Sequence, residues 1–130
     1  MKNTRLAKRL SVIAATAALT GIAAMPSASA AQQWAWYDQT QAQVDTAPNN
    51  GAPSWVWGYV ADNGNISLVR GSVDYMYADG SVNSVWIGKG QSLAINTSQR
   101  VIGIRACEEK RSWDGTYSQF WWECGDWSWV

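Results

Sequence analysis

The sequence predicts an all-β fold, a small antiparallel β-sandwich. Three observations carry this. Apolar and aromatic residues alternate with polar ones in short runs, Gly-containing turn pairs punctuate those runs at even spacing, and no stretch beyond residue 30 repeats at the helical period. The first 30 of the 130 residues read as a bacterial export signal: a basic stretch ending at Arg9, an apolar Ala-rich run over 10–24, and Ala28-Ser29-Ala30 before Ala31. The apolar run is too short and alanine-heavy to span a bilayer. Cleavage after Ala30 is therefore expected to release a soluble, extracellular protein.

Residues 31–54 read in two ways. The stretch 32–44 is rich in Gln and Ala but carries Trp34, Trp36 and Tyr37, and Pro48 and Pro53 mark a linker-like stretch over 46–53. It is either an N-terminal arm and linker ahead of a β-sandwich domain spanning 55–130, offering its aromatics to a partner, or the first strand of the sandwich followed by a crossing loop. Next, Trp55, Trp57 and Tyr59 alternate with Val56, Gly58 and Val60. Asn63-Gly64 offers a tight turn and Ile66 and Leu68 resume the alternation, so a first hairpin is expected. Val73, Tyr75 and Tyr77 then alternate with Ser72, Asp74 and Met76, and Asp79-Gly80 leads into 82–87, a second hairpin. Lys89-Gly90 turns into a short strand over 93–95 that ends at Asn96-Thr97-Ser98. Seven or eight such strands need two layers, because a single sheet would leave one face uncovered.

The chain has two cysteines, Cys107 and Cys124, and outside the cell pairing is their default. If they face each other across an antiparallel pair, Gly115 and Thr116 are left as a two-residue turn with Gly first. The same register sets Ile104 opposite Trp127, Ile102 opposite Trp129 and Arg105 opposite Asp126, all favourable cross-strand pairs. Arms of about fifteen residues would run near 50 Å, so the distal part is expected to project, bend or fray. The bridge should stabilise the fold by about 3 kcal/mol. Together these elements describe an immunoglobulin-like sandwich with a long C-terminal hairpin and one disulfide.

Composition excludes many functions. The chain has no histidine, which removes Ser-His-Asp and Cys-His chemistry and the usual zinc sites. It has no Gly-rich phosphate loop, Cys-x-x-Cys pair or calcium-loop pattern, so no cofactor or metal is expected. After residue 30, six basic residues face ten acidic ones, the wrong sign for a nucleic-acid binder. What stands out is ten tryptophans, five tyrosines and one phenylalanine, all beyond residue 30.

The hairpin tip carries Lys110, Arg111, Trp113, Asp114, Tyr117, Phe120 and Trp121, cations set beside aromatic rings as in binding hot spots. It is either a working surface or aromatic core with solvated cations. Glu108 and Glu123 become cross-strand neighbours, which could share a proton, hold calcium or act as a glycosidase pair, or else splay into water or find Lys110. A sugar cleft is seldom formed by so small a domain, so no enzyme is expected. The expected function is a secreted, non-catalytic protein-binding module, an adaptor, inhibitor or toxin-complex component, using Trp34, Trp36, Tyr37, Lys110, Arg111, Trp113, Tyr117, Phe120 and Trp121. The alternative is a carbohydrate-binding module stacking sugars on exposed tryptophans. A planar row of exposed rings favours sugar, and a patch at one end beside an unpaired strand edge favours protein.

The run Ile102-Gly-Ile-Arg-Ala-Cys107, with Asp114-Gly115, Cys124 and Trp127 following, resembles the tail of small exported actinobacterial β-sandwich proteins. The layout of aromatic N-terminal arm, linker and compact β domain is similar to what the adaptor subunit of umbrella toxin particles would need. That resemblance implies a non-catalytic linker between a lectin-like subunit and a large toxin subunit.

Overall fold

The computed structural model describes residues 31–113 and 118–130. The expected export signal over 1–30, Asp114, the expected turn at Gly115 and Thr116, Tyr117 and the side chain of Trp113 lie outside the described residues. Among the described residues, nine strands form two antiparallel sheets packed face to face. One sheet holds β1 (Gln32–Tyr37), β2 (Thr40–Asp45), β3 (Trp55–Val60) and β6 (Ser92–Asn96), in that order. The other holds β5 (Val82–Gly88), β4 (Leu68–Tyr77), β7 (Val101–Trp113) and β8 (Ser118–Cys124), with β9 (Ser128–Trp129) also paired to β7. The two-layer architecture is the expected one. The connectivity differs from the immunoglobulin order, in which the first two strands share a sheet with the fourth and fifth; here β1, β2 and β3 form a meander joined by β6.

Residues 31–54 take the second of their two readings. β1 and β2 form a hairpin about Asp38, whose φ of 51° is one that Asp tolerates. β2 pairs with β3 along its whole length, and 46–53 is the loop that crosses between them. Ala35, Ala42 and Val44 enter the core. The outer edge of β1 is partly closed by the C-terminus, where the Ser128 hydroxyl donates to the Trp34 carbonyl at 2.8 Å.

The expected first hairpin does not form. β3 lies between β2 and β6, and β4 belongs to the other sheet. Gly64 does take the left-handed conformation a turn needs, with φ of 85°. The carboxamide oxygens of Asn63 and Asn65 then accept from the backbone N–H of Asn65 and Ser67, and these consecutive Asx turns carry the chain sideways instead of back. The second hairpin forms as expected, with Val73 opposite Val85. Lys89-Gly90 turns the chain across to the first sheet, so β6 pairs with β3 and not with β5.

In the C-terminal hairpin, Cys107 faces Cys124 in a disulfide, and the predicted register runs unbroken to Trp113 opposite Ser118. Little of it projects, because β7 pairs with β4 from Val101 to Lys110. Beyond the disulfide the register slips by one. Gly103 faces Trp129 and Ile104 faces Ser128, in place of the expected Ile102–Trp129 and Ile104–Trp127 pairs. The Trp129 ring occupies the space a Gly103 β-carbon would take, and a β-carbon on Gly125 would stand 2.8 Å from the Trp36 carbonyl oxygen, so both close approaches require glycine. Arg105 accordingly pairs with Asp74 at 2.9 Å, and not with Asp126.

The core between the sheets is built from Val, Ala, Leu and Ile with Tyr75 and Tyr77. None of the nine tryptophans with described side chains is buried in it. They lie on the outer faces and the rim, because strand alternation has already given the inward positions to smaller apolar residues.

Candidate functional site

The outer face of the first sheet is a grid fixed by register. Gln32, Asp45, Trp55 and Asn96 form one cross-strand row; Trp34, Gln43, Trp57 and Ala94 the next; Trp36, Gln41, Tyr59 and Ser92 the third. Two aromatic columns therefore flank a column of glutamines. Within columns the rings run parallel: Trp34 and Trp36 have centroids 5.8 Å apart at 14°, and Trp57 and Tyr59 6.4 Å apart at 11°. Between columns Trp34 meets Trp57 edge-on at 6.2 Å and 76°, bridging the trough above Gln43. Trp36 is 56% exposed and Trp34 40%, while Trp57, Tyr59 and both glutamines are half-buried. The amides of Gln41 and Gln43, the indole N–H groups of these tryptophans and the Tyr59 hydroxyl have no partner among the described residues.

The outer face of the second sheet is also aromatic, but its polar groups are occupied. The Arg70 guanidinium lies 4.1 Å from the Trp86 ring centroid and donates from Nε to Glu109 at 2.8 Å. Trp86 and Trp122 lean over β4 and β7 until their rings meet at 4.6 Å, which is why Ser72 and Cys107, on an outward face, are only 1% exposed. Asp74 accepts from Ser84 Oγ at 2.7 Å and Arg105 Nε at 2.9 Å, and Arg105 in turn sits 4.7 Å from the Trp127 ring. Beneath the indoles is a cavity of about 250 Å³ floored by Asp74 and the disulfide. Both cysteine sulfurs are engaged in that bond, so the cluster offers a metal one carboxylate and no thiolate.

The remaining predicted site residues sort into a third group. Glu108 and Glu123 are cross-strand neighbours as expected, and between them lies Lys110, 3.4 Å from Glu108 Oε1, 3.3 Å from Glu123 Oε1 and 3.4 Å from Asp38 Oδ2. Glu108 is fully buried; its Oε2 accepts from the Gln39 N–H and the Thr40 hydroxyl, and its Oε1 has only the ammonium. Hydrogen bonds from the Trp121 indole and the Tyr37 hydroxyl, with Lys110 beside them, hold the Glu123 carboxyl down at about 2. Partial burial works against the Lys110 charge, but Glu123 and Glu108 outweigh it and raise its pKa. Tyr37 is raised by donating to Glu123. The cluster ties the β1–β2 turn to the hairpin. Of the expected tip residues, Lys110 belongs to this cluster, Trp121 donates to it while 40% exposed, and Arg111 and Phe120 are an exposed cross-strand pair; Tyr37, from the expected N-terminal segment, belongs to the cluster too. Trp34 and Trp36 belong to the grid, 40% and 56% exposed.

Sequence reasoning missed Trp55, Trp57, Tyr59, Gln41 and Gln43 as site residues. Their alternation was legible, but Trp55 to Tyr59 counted only as a strand of a hairpin that does not form. No protein-family model, curated protein or solved structure matches the chain.

Proposed function

We propose that the chain is a secreted, non-catalytic carbohydrate-binding protein that takes neutral polysaccharide on the outer face of the first sheet. The observation that carries this is the grid itself: rings in two ordered columns, with unpaired amides, indole N–H groups and a phenol between and upon them. A sugar ring presents C–H faces that pack on aromatic rings and a rim of hydroxyls that needs donors and acceptors, and the grid supplies both. The Trp34 and Trp36 rows carry no charged side chain, which suits a neutral glycan and offers an anion no counter-charge. The disulfide accords with an oxidising, extracellular setting.

Retention of the exported protein on amorphous cellulose, chitin, xylan and mannan tests this reading. At least one should retain it, and Trp57→Ala with Tyr59→Ala should abolish retention while near-UV dichroism still reports a folded chain. No retention on any of them overturns it.

A protein partner, as for an adaptor, inhibitor or toxin-complex component, is favoured by a different observation. At one end of the molecule Ile66 is 78% exposed and Phe120 56%, beside a depression lined by Ile66, Ser67, Arg111, Ser112 and Ser118. Capture of a stoichiometric secreted partner, lost in Phe120→Ser, would assign that end to protein.

A further inference from the structure

We propose that the aromatic trough is a chain-end site: it receives the terminal sugar of a neutral polysaccharide in the corner formed by Trp36, Gln41 and Tyr59, and does not lie along the chain. The proposal rests on the carbohydrate reading and deepens it.

Three features of the grid lead there. The trough has a stop. At the Gln43 row the Trp34 and Trp57 rings meet at 6.2 Å, so a chain lying between the columns cannot continue past that row. At the Gln41 row it is open, because Trp36 makes its ring contact along its own strand with Trp34, and Tyr59 makes its own with Trp57. β1 and β3 are two strand spacings apart, about 9.6 Å. Among the described residues no ring contact bridges that spacing at the Gln41 row, so it can admit one sugar ring.

The corner is also shaped for a ring and not for a flat ribbon. Since Trp36 is near-parallel to Trp34, Tyr59 to Trp57, and those two cross at 76°, Trp36 and Tyr59 stand at a steep angle. One offers a face for the C–H side of a sugar while the other hems its rim. At the floor, the half-buried Gln41 amide supplies two donors and an acceptor with no partner of its own. Because that amide is open to solvent and makes no hydrogen bond to the described residues, the hydroxyls of a terminal sugar can bond to it without displacing a protein partner.

Chain ends and chain mass are separable by experiment. The polysaccharide that retains the protein is cut to a series of shorter mean lengths, and saturation binding is measured per gram. A chain-end site predicts that capacity rises in proportion to the number of ends, about twofold for each halving of length. It also predicts one site per molecule in titrations with the matching oligosaccharides, from disaccharide to hexasaccharide, with affinity that levels off early. Gln41→Ala should weaken oligosaccharide binding about tenfold, the equivalent of about 1.4 kcal/mol, without altering near-UV dichroism. Capacity per gram that ignores chain length, with Trp36→Ala still abolishing retention, overturns the chain-end proposal and leaves the carbohydrate reading standing. Failure of every polysaccharide and oligosaccharide to bind removes both.

Discussion

The two outer faces of the sandwich are made of the same side chains and differ in what those side chains are attached to. On the second sheet, Trp86, Trp122 and Trp127 are clamped on Arg70 and Arg105, each guanidinium is paired with a carboxylate, and the disulfide is sealed underneath. On the first sheet, the rings of Trp34, Trp36, Trp57 and Tyr59 make aromatic contacts only with one another, and the amides between them have no partner, among the described residues. Exposure alone does not separate the faces, since Trp86 at 44% and Trp34 at 40% are nearly equal. Satisfaction of the polar neighbours does. A ring whose polar neighbours are already paired is part of the scaffold, whereas one beside unpaired amides still has bonding capacity to offer a ligand.

That contrast can be broken by substitutions on either side of it. The largest effect is expected behind the faces, at Lys110→Met, which leaves the fully buried Glu108 without its counter-charge. Urea unfolding should register a loss of about 4 kcal/mol. Removing both Cys107 and Cys124 by Ala substitution should cost about 3 kcal/mol and change the near-UV dichroism of Trp86 and Trp122, while the folded fraction keeps polysaccharide retention. Arg105→Ala, which strips a cation from Trp127 and a partner from Asp74, should lower stability by about 1 kcal/mol. Trp36→Ala is expected to change stability by less than about 0.5 kcal/mol yet lose retention. If instead Trp36→Ala unfolds the chain or Arg105→Ala abolishes binding, the division between scaffold and binding face is wrong.

Acid sharpens the picture further. Because the folded state holds the Glu123 carboxyl at about 2, below the ordinary carboxylate range, its contribution is fully present at neutral pH. It should fade as pH falls from the ordinary carboxylate pKa of about 4.3 towards about 2. Unfolding midpoints taken across that window should fall in the native protein, and the fall should be smaller in Glu123→Gln.

Much of this was readable before any coordinates. Alternation gave the strands, Asp79-Gly80 gave a hairpin, and the two cysteines gave a register that predicted Glu108 opposite Glu123. The first hairpin was misread because Asn63-Gly64 satisfies the local requirements of a tight turn, and nothing local says which sheet the next strand will join. Lys110 had two readings in the sequence, a cation of a binding tip or the partner of Glu108 and Glu123; the ion pairs match the second, and Asp38, which spacing along the chain did not point to, joins them from the β1–β2 turn. The glutamines at 41 and 43 carried no signal, since a polar residue every second position is ordinary for an exposed strand face.

By itself the sequence determined the fold class, the disulfide, the register around it and the abundance of aromatic side chains, because period-two alternation and cross-strand pairing are local and are written in residue spacing. Tertiary structure alone decided which strands share a sheet, that the tryptophans stay out of the core, and that one aromatic face is tied down while the other is free. Those outcomes depend on which side chains meet across strands distant in sequence, such as Arg70 with Trp122 or Trp34 with Trp57, and no spacing along the chain encodes that meeting.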